Sequence, residues 1–236
     1  MSIAENVAEI RAKMDAAAKI SGRDPKEILL CAATKMNDAE AVRQAIAAGV
    51  DLCGENRVQE LVQKQKENAY EGAPVHFIGH LQTNKVKQVV GKVDLIQSVD
   101  SLRLLKAIDA EAAKQGIVQD ILLEINVGQE DSKSGFEVCE VLPLLEQISE
   151  FSHIFVRGLM AIPPISQNSG DNRKYFQKIL QLSVDIRAKK YDNVLVNCLS
   201  MGMSDDYEDA IACGSTMIRV GTAIFGARDY AKLHHK

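Results

Sequence analysis

The chain carries no excess of positive charge: 32 acidic against 28 basic side chains in 236 residues leave it at −4. That balance gives no general pull toward phosphate backbones or anionic lipids, so neither nucleic acid nor a membrane surface is expected as a partner. No apolar run approaches the roughly 18 residues of a membrane span. Glu5, Glu9, Arg11 and Lys13 break the first twenty residues at helical intervals, which is not the pattern of a secretory leader. Cysteine is sparse: Cys31, Cys53, Cys139, Cys198 and Cys213 are odd in number, widely spread, mostly within apolar runs, and form no CxxC. They are expected to be buried thiols of a reducing compartment, in a soluble cytoplasmic protein. GxSxG, HExxH and P-loop motifs are missing as well. His76 and His80 have no companion at metal-binding spacing, and the adjacent His234 and His235 point apart, so no metal is expected. Nor does a Pro- or Ser-rich linker, a repeat or a low-complexity tract divide the chain. Its loosest stretch, Pro163 to Asn172, lies between a strand and the helix after it, and a single domain over 1–236 is expected.

What is present is apolar periodicity. With 46% apolar residues, the chain is long enough to bury a large core. Ile3, Val7, Ile10 and Met14 recur at spacings of four, three and four, predicting an N-terminal amphipathic helix that Ser21 and Gly22 end. Eight short runs rich in Val, Ile and Leu follow: 28–34, 51–54, 75–79, 95–99, 121–127, 154–160, 194–199 and 216–220. Each is followed by a polar segment of helical period. Asn37 with Glu40, and Asp205 with Glu208, read as capping boxes; Gly49, Gly116 and Gly214 sit where helices should stop. Strands this apolar on both faces belong to parallel sheets covered by helices. Strict alternation over about 200 residues predicts an α/β fold, a (β/α)8 TIM barrel with an extra N-terminal helix. An open doubly wound sheet is the competing architecture.

In a barrel, function gathers at the C-terminal ends of the strands. The first run ends in Thr34-Lys35-Met36. Lys35 is either a strand-end lysine reaching solvent or an amine of lowered pKa able to attack an aldehyde. The last two runs end in Ser200-Met201-Gly202-Met203-Ser204 and Arg219-Val220-Gly221-Thr222. Glycine lets backbone N–H groups approach an anion, Ser and Thr add hydroxyls, and the following helix offers the positive end of its dipole. Two such turns on consecutive late strands, opposite a strand-end lysine, suit a ligand with both a phosphate and an aldehyde, of which pyridoxal phosphate is the common one. His76 reads as a satisfied core residue, and His80, ending the third run, as a residue that could face the mouth. Lys133, in the polar loop after the fifth run, is a solvated charge or a secondary site.

Five stretches carry a resemblance: Gly54-Glu55-Asn56-Arg57-Val58-Gln59-Glu60, Gly79-His80-Leu81-Gln82-Thr83-Asn84-Lys85, Gly158-Leu159-Met160-Ala161-Ile162-Pro163, Ser200-Met201-Gly202-Met203-Ser204-Asp205-Asp206, and Arg219 through Gly226. Together and in this order they resemble the pyridoxal phosphate homeostasis proteins, the YggS/PROSC family. The resemblance implies a barrel of the alanine racemase N-terminal type with pyridoxal 5′-phosphate as cofactor. It puts Lys35 at the Schiff-base position, Ser200, Gly221 and Thr222 at phosphate-binding positions with Met201 beside them, Arg219 against the pyridine nitrogen, and Asn56 and Met160 near the cofactor. Tyr207 and the Gly135 loop receive no role. The family implies binding and delivery of the cofactor, to recipient apoenzymes among others, in vitamin B6 homeostasis and without established catalysis. An arginine facing the pyridine nitrogen leaves it unprotonated and a poorer electron sink, which fits that role. The chain is read as stopping about ten residues after the eighth strand, without room for the second domain that faces the racemase site, and as a monomer. Two other readings stay open. One is a racemase or decarboxylase using the same amine, with His80 and Lys133 as unassigned acid/base candidates; the other is a barrel that binds sugar phosphates or proteins without the cofactor.

Overall fold

The computed structural model describes residues 1–129, 134–165, 168 and 170–226. Each apolar run becomes a strand: β1 Leu29–Ala33, β2 Leu52–Glu55, β3 Val75–Phe77, β4 Leu95–Val99, β5 Gln119–Ile125, β6 Ile154–Ala161, β7 Val194–Ser200 and β8 Met217–Val220. Every strand pairs in parallel with the next and β8 pairs with β1, which closes the barrel and excludes the open sheet. The helices are α1 Ile3–Ile20, α2 Ala39–Ala47, α3 Val58–Lys66, α4 Leu102–Gln115, α5 Val138–Leu145, α6 Arg173–Lys189, α7 Tyr207–Ala212 and α8 Thr222–Phe225.

Between β3 and β4 the alternation fails. The chain crosses there in a 3₁₀ turn, Thr83–Gln88, instead of the expected α-helix. Val86 in the turn and Val89, Val90 and Val93 after it are buried at helical spacing, yet the backbone takes only the short 3₁₀ turn.

Two caps fall elsewhere than expected. Asp38, one residue after Asn37, caps α2 by accepting the Ala41 N–H, while the Asn37 amide turns back to the Lys35 carbonyl at 3.1 Å. Asp206 precedes α7, yet its carboxylate takes the Met203 N–H and the Asn172 amide, both at 2.7 Å, so no capping box forms with Asp205. Gly116 ends α4 at φ 66, as its position predicts. Of the cysteines, Cys31, Cys53 and Cys213 are buried and Cys198 is half-buried; Cys139, on a polar face of α5, is exposed against expectation.

The side-chain alternation of the strands divides the core. Leu30 and Ala32 of β1 and Ile218 and Val220 of β8 face outward and pack with Val7, Ile10 and Met14 of α1. A capping box starts that helix, Ser2 accepting the Glu5 N–H and Glu5 accepting the Ser2 N–H. Arg11 fastens it to Asp51 at 2.7 Å, whose carboxylate also takes the Leu30 N–H. Inward residues fill the barrel in two apolar groups, Cys31, Leu52 and Met217 in one and Leu95, Leu122 and Met160 in the other. Among the described residues no helix is long and apolar enough to cross a membrane.

Candidate functional site

Lys35 stands half-buried two residues beyond the end of β1. The neighbours of β1 decide what it meets. Val220 lies opposite Ala32, so Gly221 and Thr222 continue along the β1 end. A side chain on Gly221 would begin 3.4 Å from the Cβ and carbonyl of Ala33. On the other side of β8, the Arg219 N–H bonds the Gly202 carbonyl at 3.0 Å, drawing the turn after β7 to the same place. Gly202 has φ 94, and a Cβ there would stand 2.6 Å from that of Ala210, so this turn needs glycine.

Asn56 follows β2 and is half-buried. Its Oδ1 is inaccessible to water and accepts no hydrogen bond. Such an acceptor costs on the order of 1–3 kcal/mol while it is left unmet. The loop after β3 fixes it: a Cβ on Gly79 would fall 2.1 Å from the Asn56 carbonyl oxygen, and Ser98 Oγ holds the Gly79 carbonyl at 2.5 Å.

Below this rim a polar chain crosses the barrel interior. Gln97 donates to His76 Nδ1 at 2.8 Å and accepts the Ser200 hydroxyl at 2.6 Å. Ser200 Oγ accepts from Arg219 Nη1 at 2.6 Å, and Arg219 Nη2 donates to the Ala161 carbonyl at 3.0 Å. Burial drives the His76 pKa down to about 4, so the ring is neutral and can accept from the amide. Burial also lowers the pKa of Arg219, but a guanidinium stays charged. Glu124 of β5 lies opposite Met160 of β6, which lies opposite Ser200 of β7. Burial, and then the nearby charge of Asp100, push the Glu124 carboxyl up to about 7, against the pull of Arg219 and His80.

The structure brings Lys35, Asn56, Gly221 and Thr222 to one rim, sets Arg219 below it in the interior, and seats Met160, 1% exposed, on the floor beside Leu95 and Leu122. Ser200 ends β7, and in this structure its hydroxyl donates to Gln97 and accepts from Arg219. Met201 is not brought to the mouth: its fully buried side chain turns outward into the core and its N–H bonds the Met217 carbonyl. A one-residue step along a strand reverses the face, which separates it from Ser200. His80 is largely exposed and pairs with Asp100 at 3.0 Å, while His76 is the satisfied core residue anticipated. Tyr207 packs with the α1 core, and Lys133 lies outside the described residues. Gln97 and Glu124 went unnoticed in the sequence; their signal is a polar residue at an inward position of an otherwise apolar run.

The alanine racemase N-terminal domain family matches residues 2–229. The chain is 41% identical over 233 residues to the pyridoxal phosphate homeostasis protein of Escherichia coli K12, covering 98% of each. It is 40% identical over 230 residues to the protein of that name from Aquifex aeolicus, covering 98% of this chain and all of the other. Among solved structures, PipY of Synechococcus elongatus with PLP bound aligns at TM-score 0.82 and 32% identity, over 95% of this chain and 100% of that one. Alanine racemase of Clostridium difficile aligns at TM-score 0.68 but 13% identity, over 95% of this chain and 56% of that one, a likeness of fold alone.

Proposed function

Because the chain belongs to the alanine racemase N-terminal domain family and, within it, to the pyridoxal phosphate homeostasis proteins, we propose that it binds pyridoxal 5′-phosphate where β8, β1 and β2 meet, as a carrier in vitamin B6 homeostasis. One observation carries the reading: the β8–β1 pairing sets Gly221 and Thr222 beside the strand end that bears Lys35. An anionic tail held by those two residues leaves an aldehyde within range of the amine.

Lys35 would hold the group through its Nζ, and the bound group would supply an aldehyde carbon open to attack by an amine, with water as the leaving molecule. Gly221 and Thr222 contribute backbone N–H groups and a hydroxyl to the phosphate. Ser200, at the end of β7, is the third residue proposed for the phosphate, and its Oγ also holds the Arg219 guanidinium. Arg219 would face the pyridine nitrogen and leave it unprotonated, because a guanidinium does not give up its proton. Asn56 borders the cofactor from the end of β2, and Met160, 1% exposed, forms the apolar floor.

A ring nitrogen without a proton draws electrons weakly from a substrate carbon, so this site favours holding and releasing the cofactor over chemistry on amino acids. We place the protein in the cytoplasm as a monomer, with recipient apoenzymes as its partners and without a catalytic activity of its own. The test is solvent deuterium exchange at the α-carbon of a panel of amino acids, run beside transfer of cofactor from the loaded protein to an apoenzyme. Carrier function predicts transfer with no exchange above that of free cofactor. Rapid, saturable exchange that disappears in Lys35→Ala would mark an enzyme instead.

A further inference from the structure

We propose that Glu60, together with Lys64, is a positioning residue that sets the aim of Lys35 from outside the barrel. The inference rests on the functional reading of Lys35 given above. Lys64 of α3 is a buried lysine, and its Nζ donates to the Thr34 carbonyl at 2.7 Å, to Glu55 at 3.1 Å and to Glu60 Oε2 at 3.3 Å. The same Oε2 of Glu60 accepts the Met36 N–H at 2.6 Å. The Thr34 carbonyl belongs to the peptide entering Lys35, and the Met36 N–H to the peptide leaving it. One ammonium–carboxylate pair therefore grips both peptide planes of the residue that presents the amine.

The turn has reason to need the grip. Met36 has φ 62, in the left-handed region that a side chain with a Cβ avoids. Without an acceptor for its N–H the residue would relax toward negative φ, rotating the 35–36 peptide and with it the Lys35 Cα–Cβ direction. Neutralising the buried Glu55 carboxylate asks only for Lys64, whereas the Glu60 side chain is 21% exposed and spends one oxygen on the turn beside Lys35. Its role is thus directed at that turn more than at the core. Charge-assisted bonds of this length are among the stronger ones available to a backbone N–H.

The experiment compares wild type, Glu60→Ala, Glu60→Asp and Glu60→Gln, each titrated with pyridoxal phosphate by absorbance, then reduced with borohydride and mapped. Glu60→Ala loses the acceptor, and Glu60→Asp keeps the charge but falls short of Met36; both should raise Kd about tenfold or more and lower the fraction fixed on Lys35. Glu60→Gln, whose amide oxygen still accepts from the Met36 N–H, should stay within about threefold of wild type. Melting of the cofactor-free proteins separates aim from stability, since the Asp variant should melt close to wild type. Wild-type binding and labelling in both Ala and Asp variants would overturn the positioning role and leave the cofactor reading standing. Failure of wild type itself to be labelled at Lys35 would overturn both.

Discussion

At Glu124 the interior of the barrel holds a carboxyl group that burial keeps protonated up to about pH 7. The folded protein then binds more protons here than the unfolded chain does, so the contribution to stability is full below the ordinary value of 4.5 and is lost as pH rises through about 7. Urea unfolding of wild type and Glu124→Gln should give similar stabilities at pH 4, and the variant should gain by at most about 1.4 kcal/mol per pH unit between 4.5 and 7. A difference that does not change with pH would refute the assignment. His76 works in the opposite sense: its depressed pKa contributes stability above 6.5 that is lost as pH falls through about 4. Ser200→Ala should cost about 1–3 kcal/mol in urea, since Gln97 and buried Arg219 would each lose a partner. An unchanged midpoint would mean that water replaces the hydroxyl. The strand-end position of Lys35 is legible in the sequence because it directly follows an apolar run, whereas its proposed role rests on the turns after β7 and β8. Glu124 and Gln97 are not, because which of two alternating positions faces the interior depends on strand register, and register is a property of the closed sheet.

The elements were legible wherever local periodicity alone decides them. All eight strands lie where the apolar runs place them, and α1 follows its four-three-four spacing. The α2 cap is displaced because Asn37 and Asp38 are chemically close to equivalent as caps, and the local bond of the Asn37 amide to the Lys35 carbonyl leaves Asp38 to cap. The 3₁₀ turn after β3 is not legible because Val86, Val89, Val90 and Val93 keep the spacing of a helical stripe that the backbone does not follow. Met14 of α1, 2% exposed, seals the outer face of β1 and β8, so Met14→Ala should cost about 2–5 kcal/mol by thermal or urea unfolding. A change under half a unit of that scale would show that α1 is an ornament of the barrel. The Gly79 loop is held to a tighter tolerance. Gly79→Ala pushes a Cβ into the Asn56 backbone and should weaken pyridoxal phosphate binding, measured by absorbance titration, even where the variant still folds.

On the scale of the whole molecule, closure of the sheet is what makes a site from residues distant in sequence. Lys35 and Thr222 are brought side by side only because β8 returns to β1, and Asn56 joins them because β2 pairs with β1 on its other edge. A ligand bound at that junction ties the first strand to the last and should stabilise the folded barrel as a unit. With free pyridoxal phosphate at a hundred times its Kd, the gain is about 2.7 kcal/mol, and Lys35→Ala should lose most of it in a thermal shift. The central claim concerns one amine, and it can be addressed chemically: load the purified protein with pyridoxal phosphate, reduce with borohydride, digest, and locate the added mass. The account predicts the pyridoxyl phosphate group on the peptide bearing Lys35; label found solely on other lysines, or none at all, would contradict it.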